Sequence, residues 1–120
     1  MLLNVALIAG AITKSFLSSL KGSSATLKKL ATDEAHKLAM SLATIGQMLA
    51  DGDVDQDEAE ALIEVQKSAT EAVFSSLEGV GRVAARNATR AGLSSVVSVV
   101  DGAIGLPLVA TLIGQAAPQA

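Results

Sequence analysis

The chain has 120 residues, half of them hydrophobic, and a formal net charge of -3 at neutral pH. This length allows one domain with a modest core. Because the sequence contains no cysteine, it excludes disulfides, thiolate metal sites and cysteine nucleophiles.

The apolar content is aliphatic and small. Phe16 and Phe74 are the only aromatic residues, and tryptophan and tyrosine are absent. Small side chains let backbones approach closely, whereas deep pockets and monomeric cores usually depend on large aromatic side chains. The alanine-rich composition therefore favours close helix-helix packing over an enzyme pocket.

The first segment, residues 2–20, is apolar nearly all round until Lys14. A helix without a polar face is typical of a buried or membrane-facing position. Its first cation follows the apolar stretch instead of preceding it, which is the reverse of a signal peptide. We therefore predict an apolar helix over 1–20 and no cleaved signal peptide.

The second segment, residues 25–50, has apolar residues at steps of three and four along its length, interrupted by Glu34. This spacing predicts a helix. Ser23 or Ser24 is placed to cap its first turn.

An acidic corner at residues 51–57 follows. Gly52 permits the turn that ends the second segment, and Asp55 followed by Glu58 has the spacing of a capping box. Residues 56–92 then keep a helical apolar stripe that begins with Leu62, Val65 and Ala69, and the glycines near 79–81 indicate a kink. Residues 25–92 are therefore predicted to form an antiparallel helical hairpin.

The tail, residues 93–114, is the second apolar block. Its valine-rich stretch could form a strand by propensity, but the sequence offers no convincing second strand, so we predict helix. Asp101, Gly102, Gly105 and Pro107 are expected to interrupt it, leaving a final helix over about 106–113 before a polar end. Asp101 is interpreted as a turn residue; the alternative is a charge paired with Lys14 or with an arginine of another copy.

Together these segments predict a single all-α domain that packs as a bundle or in an oligomer. A hairpin folded at residues 51–55 would bring both apolar blocks to the opposite end of the molecule. We therefore expect an elongated shape with an apolar end, a collar of lysine and arginine, and an acidic tip.

Part of the acidic corner has calcium-loop spacing: Asp53, Asp55, Asp57 and Glu64 fall at four ligand positions of a helix-loop-helix site. The loop glycine is replaced by Glu58, and the stretch that follows favours helix. The preferred interpretation is a capped, solvated helix start, and calcium is the weaker alternative.

Arg82, Arg86 and Arg90 recur at steps of four and form one ridge of a helix. Guanidinium groups bind phosphates or carboxylates in a bidentate manner. Lipid headgroups or the acidic corner of a neighbouring copy are the favoured partners, and a solvated face is the alternative. Nucleic acid is an unlikely partner because base-stacking aromatics are scarce and the net charge is negative.

Gly81, Ala85, Ala88 and Gly92 form a series of small residues at helical spacing. Such series let two helices touch backbone to backbone. They are expected to form a helix-packing interface and to support oligomerisation.

An enzyme is not expected. His36 is the only histidine, it has only Asp33 and Glu34 as neighbours at helical spacing, and there is no glycine-rich phosphate loop of the GxxxxGK type. The sequence thus predicts no cofactor and no small-molecule substrate.

The favoured function is a structural or assembly protein: a homo-oligomer that seats its apolar end on a membrane or within a larger particle, such as a virion or injection apparatus. One alternative is a holin-like or pore-forming membrane protein, although neither apolar block is a clean stretch of about 20 apolar residues. The other is a soluble helical adaptor with an acidic docking tip.

Overall fold

The computed structural model describes residues 3–21 and 24–114. These ranges contain six helices and no strand, so the protein is all-α as predicted. The helices are α1 (Val5–Leu20), α2 (Ala25–Ala50), α3 (Gln56–Ser75), α4 (Arg82–Ser94), α5 (Val97–Ile104) and α6 (Leu108–Leu112). Leu2 of the first segment, the alternative cap Ser23 and the polar end at 115–120 lie outside the described residues.

Helices α1 and α2 begin at side-chain caps. The Asn4 side chain accepts a hydrogen bond from the Leu7 amide at 3.0 Å, and Ser24 accepts one from Leu27 at 3.1 Å. Such caps satisfy amides that have no partner within the helix. The predicted bounds of the second helix, 25–50, are confirmed.

The second arm of the predicted hairpin consists of two helices instead of one. Its first half, α3, packs against α2, and α4 packs against α3 and α1. The predicted kink at 79–81 is a full break over residues 76–81. Gly79 lies there with φ of +85°, a conformation that glycine adopts without steric cost.

The tail is helical, as predicted for its valine-rich stretch. The predicted interruption at Asp101 and Gly102 is wrong, because both residues lie within α5. The tail breaks instead at residues 95–96, between α4 and α5, and at residues 105–107, where Gly105 has φ of +85° and Pro107 precedes α6. The final helix, Leu108–Leu112, is shorter than predicted.

The predicted apolar end is also wrong. Ile8, Ile12 and Phe16 of α1 are buried in the same core as Val100 and Leu108 of the tail. Helix α1 packs against α2 and α4, so the first apolar block lies within the bundle. An apolar helix buries more surface between two partners than at one end, which is why this arrangement is favoured.

Candidate functional site

The acidic corner is a capped helix start. The Asp55 carboxylate accepts a hydrogen bond from the Glu58 amide at 2.8 Å, and Glu58 accepts one from the Asp55 amide at 2.9 Å. This pair is the predicted capping box. Asp57 and Glu58 also lie in the first turn of α3, where negative charge interacts favourably with the helix dipole.

The calcium alternative does not fit this geometry. A calcium loop would have to continue past residue 56, but α3 begins at Gln56. The candidate ligands are therefore divided between the corner, with Asp53 and Asp55, and the helix, with Asp57 and Glu64. Glu64 lies two turns into α3 and pairs with Lys67 at 3.6 Å. Over residues 3–21 and 24–114, no group of three or more acidic or histidine side chains could hold a metal ion.

The arginine ridge divides between two neighbours. Arg82 and Arg86 are exposed and line a cavity of about 250 Å³ together with Glu71 and Ala72 of α3. Arg90 lies beside Gly114, where an added Cβ would be 3.6 Å from its guanidinium. Only Arg82 and Arg86 of the ridge therefore lie beside α3.

The arginines and the corner carboxylates carry charges that form no ion pair with the described part of the chain. There, every salt bridge uses a lysine: Lys29–Asp33 at 3.2 Å, Lys37–Glu34 at 2.9 Å and Lys67–Glu64 at 3.6 Å. In the cavity beside Arg82 and Arg86, Glu71 Oε2 is buried and accepts no hydrogen bond from a described residue. Two opposite charge clusters are thus available to a partner.

The series of small residues packs within the chain. Ala85, Ala88 and Gly92 are buried, and a Cβ added at Gly92 would lie 2.3 Å from the Phe16 ring. Gly81 is the exposed N-cap of α4. Gly92 thus lies against α1, and three of the four residues are not accessible to another copy.

Helix α3 has a second apolar face, and that face is exposed. Ala59, Ile63, Thr70 and Phe74 form its buried face. Leu62, Val65, Ala69 and Ala72, which we call the α3 stripe, lie on its outer side. Val65 is 63 % exposed and Leu62 is 39 % exposed.

Helix α2 extends this apolar surface. Met40, 50 % exposed, Thr44 and Met48 line a cavity of about 370 Å³ together with Leu62 and Val65. Methionine side chains adapt to irregular apolar partners. The sequence showed Leu62, Val65 and Ala69 as an apolar stripe, but the spacing did not show that this stripe faces outward or that Met40 lies beside it.

His36 lies beside a cavity of about 630 Å³ between α1 and α2, near Asp33 and Glu34. Both carboxylates are already bound to lysines on the same helix. Glu34 is buried, and its hydrogen bond to Lys37 raises the pKa of that lysine above 10.5. These groups satisfy one another locally, and their arrangement does not resemble a nucleophile with its base.

Comparison with protein-family models, with curated proteins and with solved structures yields no match. Within the described residues, no helix is both long enough and apolar enough to cross a membrane. The geometry of the surface formed by the α3 stripe, Met40 and Met48 makes it the candidate functional site.

Proposed function

We propose that the protein is a non-enzymatic structural protein that self-associates through the α3 stripe and serves as a unit of a larger assembly. The observation that carries the proposal is an exposed apolar stripe on a helix whose opposite face already fills the core. Scattered exposed apolar side chains are ordinary, but a contiguous patch is typical of an interaction surface.

The arrangement of α3 supports an intermolecular role for the stripe. The buried face, with Ile63 and Phe74, is sufficient to hold α3 against α2 and α4. The bundle therefore folds without covering Leu62 and Val65. Burying a fully exposed leucine or valine side chain contributes about 1.5–3 kcal/mol. Leu62 and Val65 are 39 % and 63 % exposed, so covering each of them contributes a part of that amount and favours association.

Sedimentation velocity across a wide range of protein concentration tests the proposal. The wild-type chain is expected to form a discrete oligomer. Val65→Glu is expected to remain monomeric with an unchanged circular dichroism spectrum, because it places a charge in the proposed contact.

Val99→Glu is the matched control. Val99 is also an exposed valine, but it lies on α5 and is not part of the α3 stripe. It should associate like the wild type. A wild-type chain that stays monomeric at every concentration would contradict the proposal and leave the stripe to a different partner, such as a basic protein that contacts the acidic corner.

A further inference from the structure

We infer that the occupant of the α3 stripe is a second copy of this chain, docked antiparallel about a two-fold axis that passes midway between Val65 and Ala69. The inference rests on the proposed self-association and specifies its geometry. In this arrangement Leu62 of each copy faces Ala72 of the other, and Val65 faces Ala69.

The stripe is complementary to itself in side-chain size. Its first half carries the larger residues Leu62 and Val65, and its second half carries Ala69 and Ala72. An antiparallel pairing sets large side chains against small ones at every level, which is the pattern that fills an interface without voids. A parallel pairing would set Leu62 against Leu62 and alanine against alanine, leaving a gap at one end.

The charges at the two ends of the stripe are complementary as well. The exposed carboxylates of the acidic corner (Asp51, Asp53, Asp55, Asp57 and Glu58) lie before its first residue. Arg82 and Arg86 line a cavity together with its last residue, Ala72, and with Glu71, whose buried Oε2 accepts no hydrogen bond from a described residue. Neither group forms a salt bridge with residues 3–21 or 24–114.

The antiparallel orientation brings these opposite charges together twice, once at each end of the interface. A parallel orientation would bring corner against corner and arginine against arginine, and like charges in an interface select against that arrangement. The dipoles of the two α3 helices also oppose each other in the antiparallel pair. Size, charge and dipole thus favour the same orientation.

Charge reversal tests the ion pairs in the full-length chain. Arg82→Glu/Arg86→Glu should weaken the dimer by roughly tenfold or more, because it sets like charges together at both ends. Asp51→Lys/Asp53→Lys should weaken it less, because Asp55, Asp57 and Glu58 still face the arginines. Both pairs avoid the capping residues Asp55 and Glu58. An equimolar mixture of the two variants should associate more tightly than Arg82→Glu/Arg86→Glu alone, since one end then pairs the native acidic corner with native arginines and the other sets the introduced lysines beside the introduced glutamates.

Single cysteines test the orientation independently of the charges. The chain has no native cysteine, so Leu62→Cys and Ala72→Cys each introduce one thiol. The two positions are ten residues apart, about 15 Å along the helix, whereas a disulfide needs Cα atoms within about 7 Å. Only the mixture of the two variants should form a disulfide-linked dimer under mild oxidation.

The outcomes separate the two proposals. A monomeric wild type would contradict self-association itself. If the wild type forms an oligomer but the Leu62→Cys variant cross-links without the Ala72→Cys variant, self-association stands and the antiparallel two-fold arrangement is wrong. The same conclusion follows if neither the charge reversals nor the mixture of cysteine variants has an effect.

Discussion

At the scale of single residues, the contact between Gly92 and Phe16 sets how closely α4 approaches α1. Phe16 is held in the core by an edge-to-face contact with Phe74, with ring centroids 4.8 Å apart. A Cβ at position 92 would lie 2.3 Å from the Phe16 ring and 3.1 Å from Ile12. The ring cannot move away without losing its contact with Phe74.

We expect Gly92→Ala to lower the free energy of unfolding, measured by urea denaturation. Alanine gains about 1 kcal/mol in helix propensity, but overpacking a core typically costs about 1–3 kcal/mol. Gly10→Ala is the matched control, because position 10 is also helical and has no atom within 4 Å of an added Cβ. Gly10→Ala should raise the free energy of unfolding. If Gly92→Ala raised it by the same amount, the close contact between Gly92 and Phe16 would be contradicted.

The Glu34–Lys37 pair predicts a pH dependence of stability. The hydrogen bond to Glu34, and then its charge, raise the pKa of Lys37 above 10.5 in the folded chain. The pair's contribution is therefore fully present below about pH 10.5 and is lost as the pH rises through the raised pKa.

Thermal denaturation between pH 9 and 12 checks this dependence. The Tm of the wild type should fall relative to that of Glu34→Gln above pH 10.5. Lys37→Gln removes the titrating amine and should parallel Glu34→Gln. Wild-type and variant curves that stay parallel over this range would contradict a contribution from the pair.

At the scale of elements, α6 depends on a carboxylate from α5. Asp101 accepts hydrogen bonds from the amides of Val109 at 2.8 Å and Ala110 at 3.0 Å. These amides open a five-residue helix that has no cap of its own. Asp101 is therefore a distant cap, which the interpretation as a turn residue missed because its partners are eight and nine residues away.

We expect Asp101→Ala to destabilise the chain by about 1–2 kcal/mol, since it leaves both amides without their acceptor. Asp101→Asn keeps one acceptor oxygen and should have an intermediate effect. Urea denaturation gives the overall loss, and hydrogen exchange should place the lost protection in α6. Wild-type stability and protection in Asp101→Ala would show that these two bonds do not stabilise α6.

Helix α3 shows how far the spacing of apolar residues determines an element. Its sequence has two apolar rows, one with Ile63 and Phe74 and one with Leu62 and Val65, and each satisfies helical periodicity. Both rows predict the same helix. Which row is buried depends on how α2 and α4 approach, so the spacing alone could not identify the exposed one.

At the scale of the whole molecule, opposite charges lie at the two ends of the stripe, and this predicts a salt dependence of self-association. Raising the ionic strength screens exposed ion pairs, whereas burial of apolar surface is not weakened by salt. The dimer dissociation constant from sedimentation should therefore rise between low and high sodium chloride concentration. A salt-independent dissociation constant would contradict the ion pairs at the ends of the stripe.

The candidate site was visible in the sequence only in parts. The acidic corner and the arginines were recognised as charge clusters, and Leu62, Val65 and Ala69 as an apolar row. The sequence did not show that these groups lie around one helix. The arginines follow the break between α3 and α4 at residues 76–81, and no local signal determines the direction in which α4 leaves that break. The series with Ala85, Ala88 and Gly92 was expected to support oligomerisation, but these three residues are buried within the chain.

The sequence by itself determined the all-α class, the bounds of α2 and the capping box at Asp55, because propensities, caps and periodicity act within about four residues along the chain. Only the tertiary structure decided that α1 lies in the core, that Asp101 caps α6 and that the α3 stripe faces outward. These features depend on contacts between distant segments, and the free energy of such contacts depends on which faces meet. Periodicity places an apolar row on a helix but does not specify the neighbour that covers it.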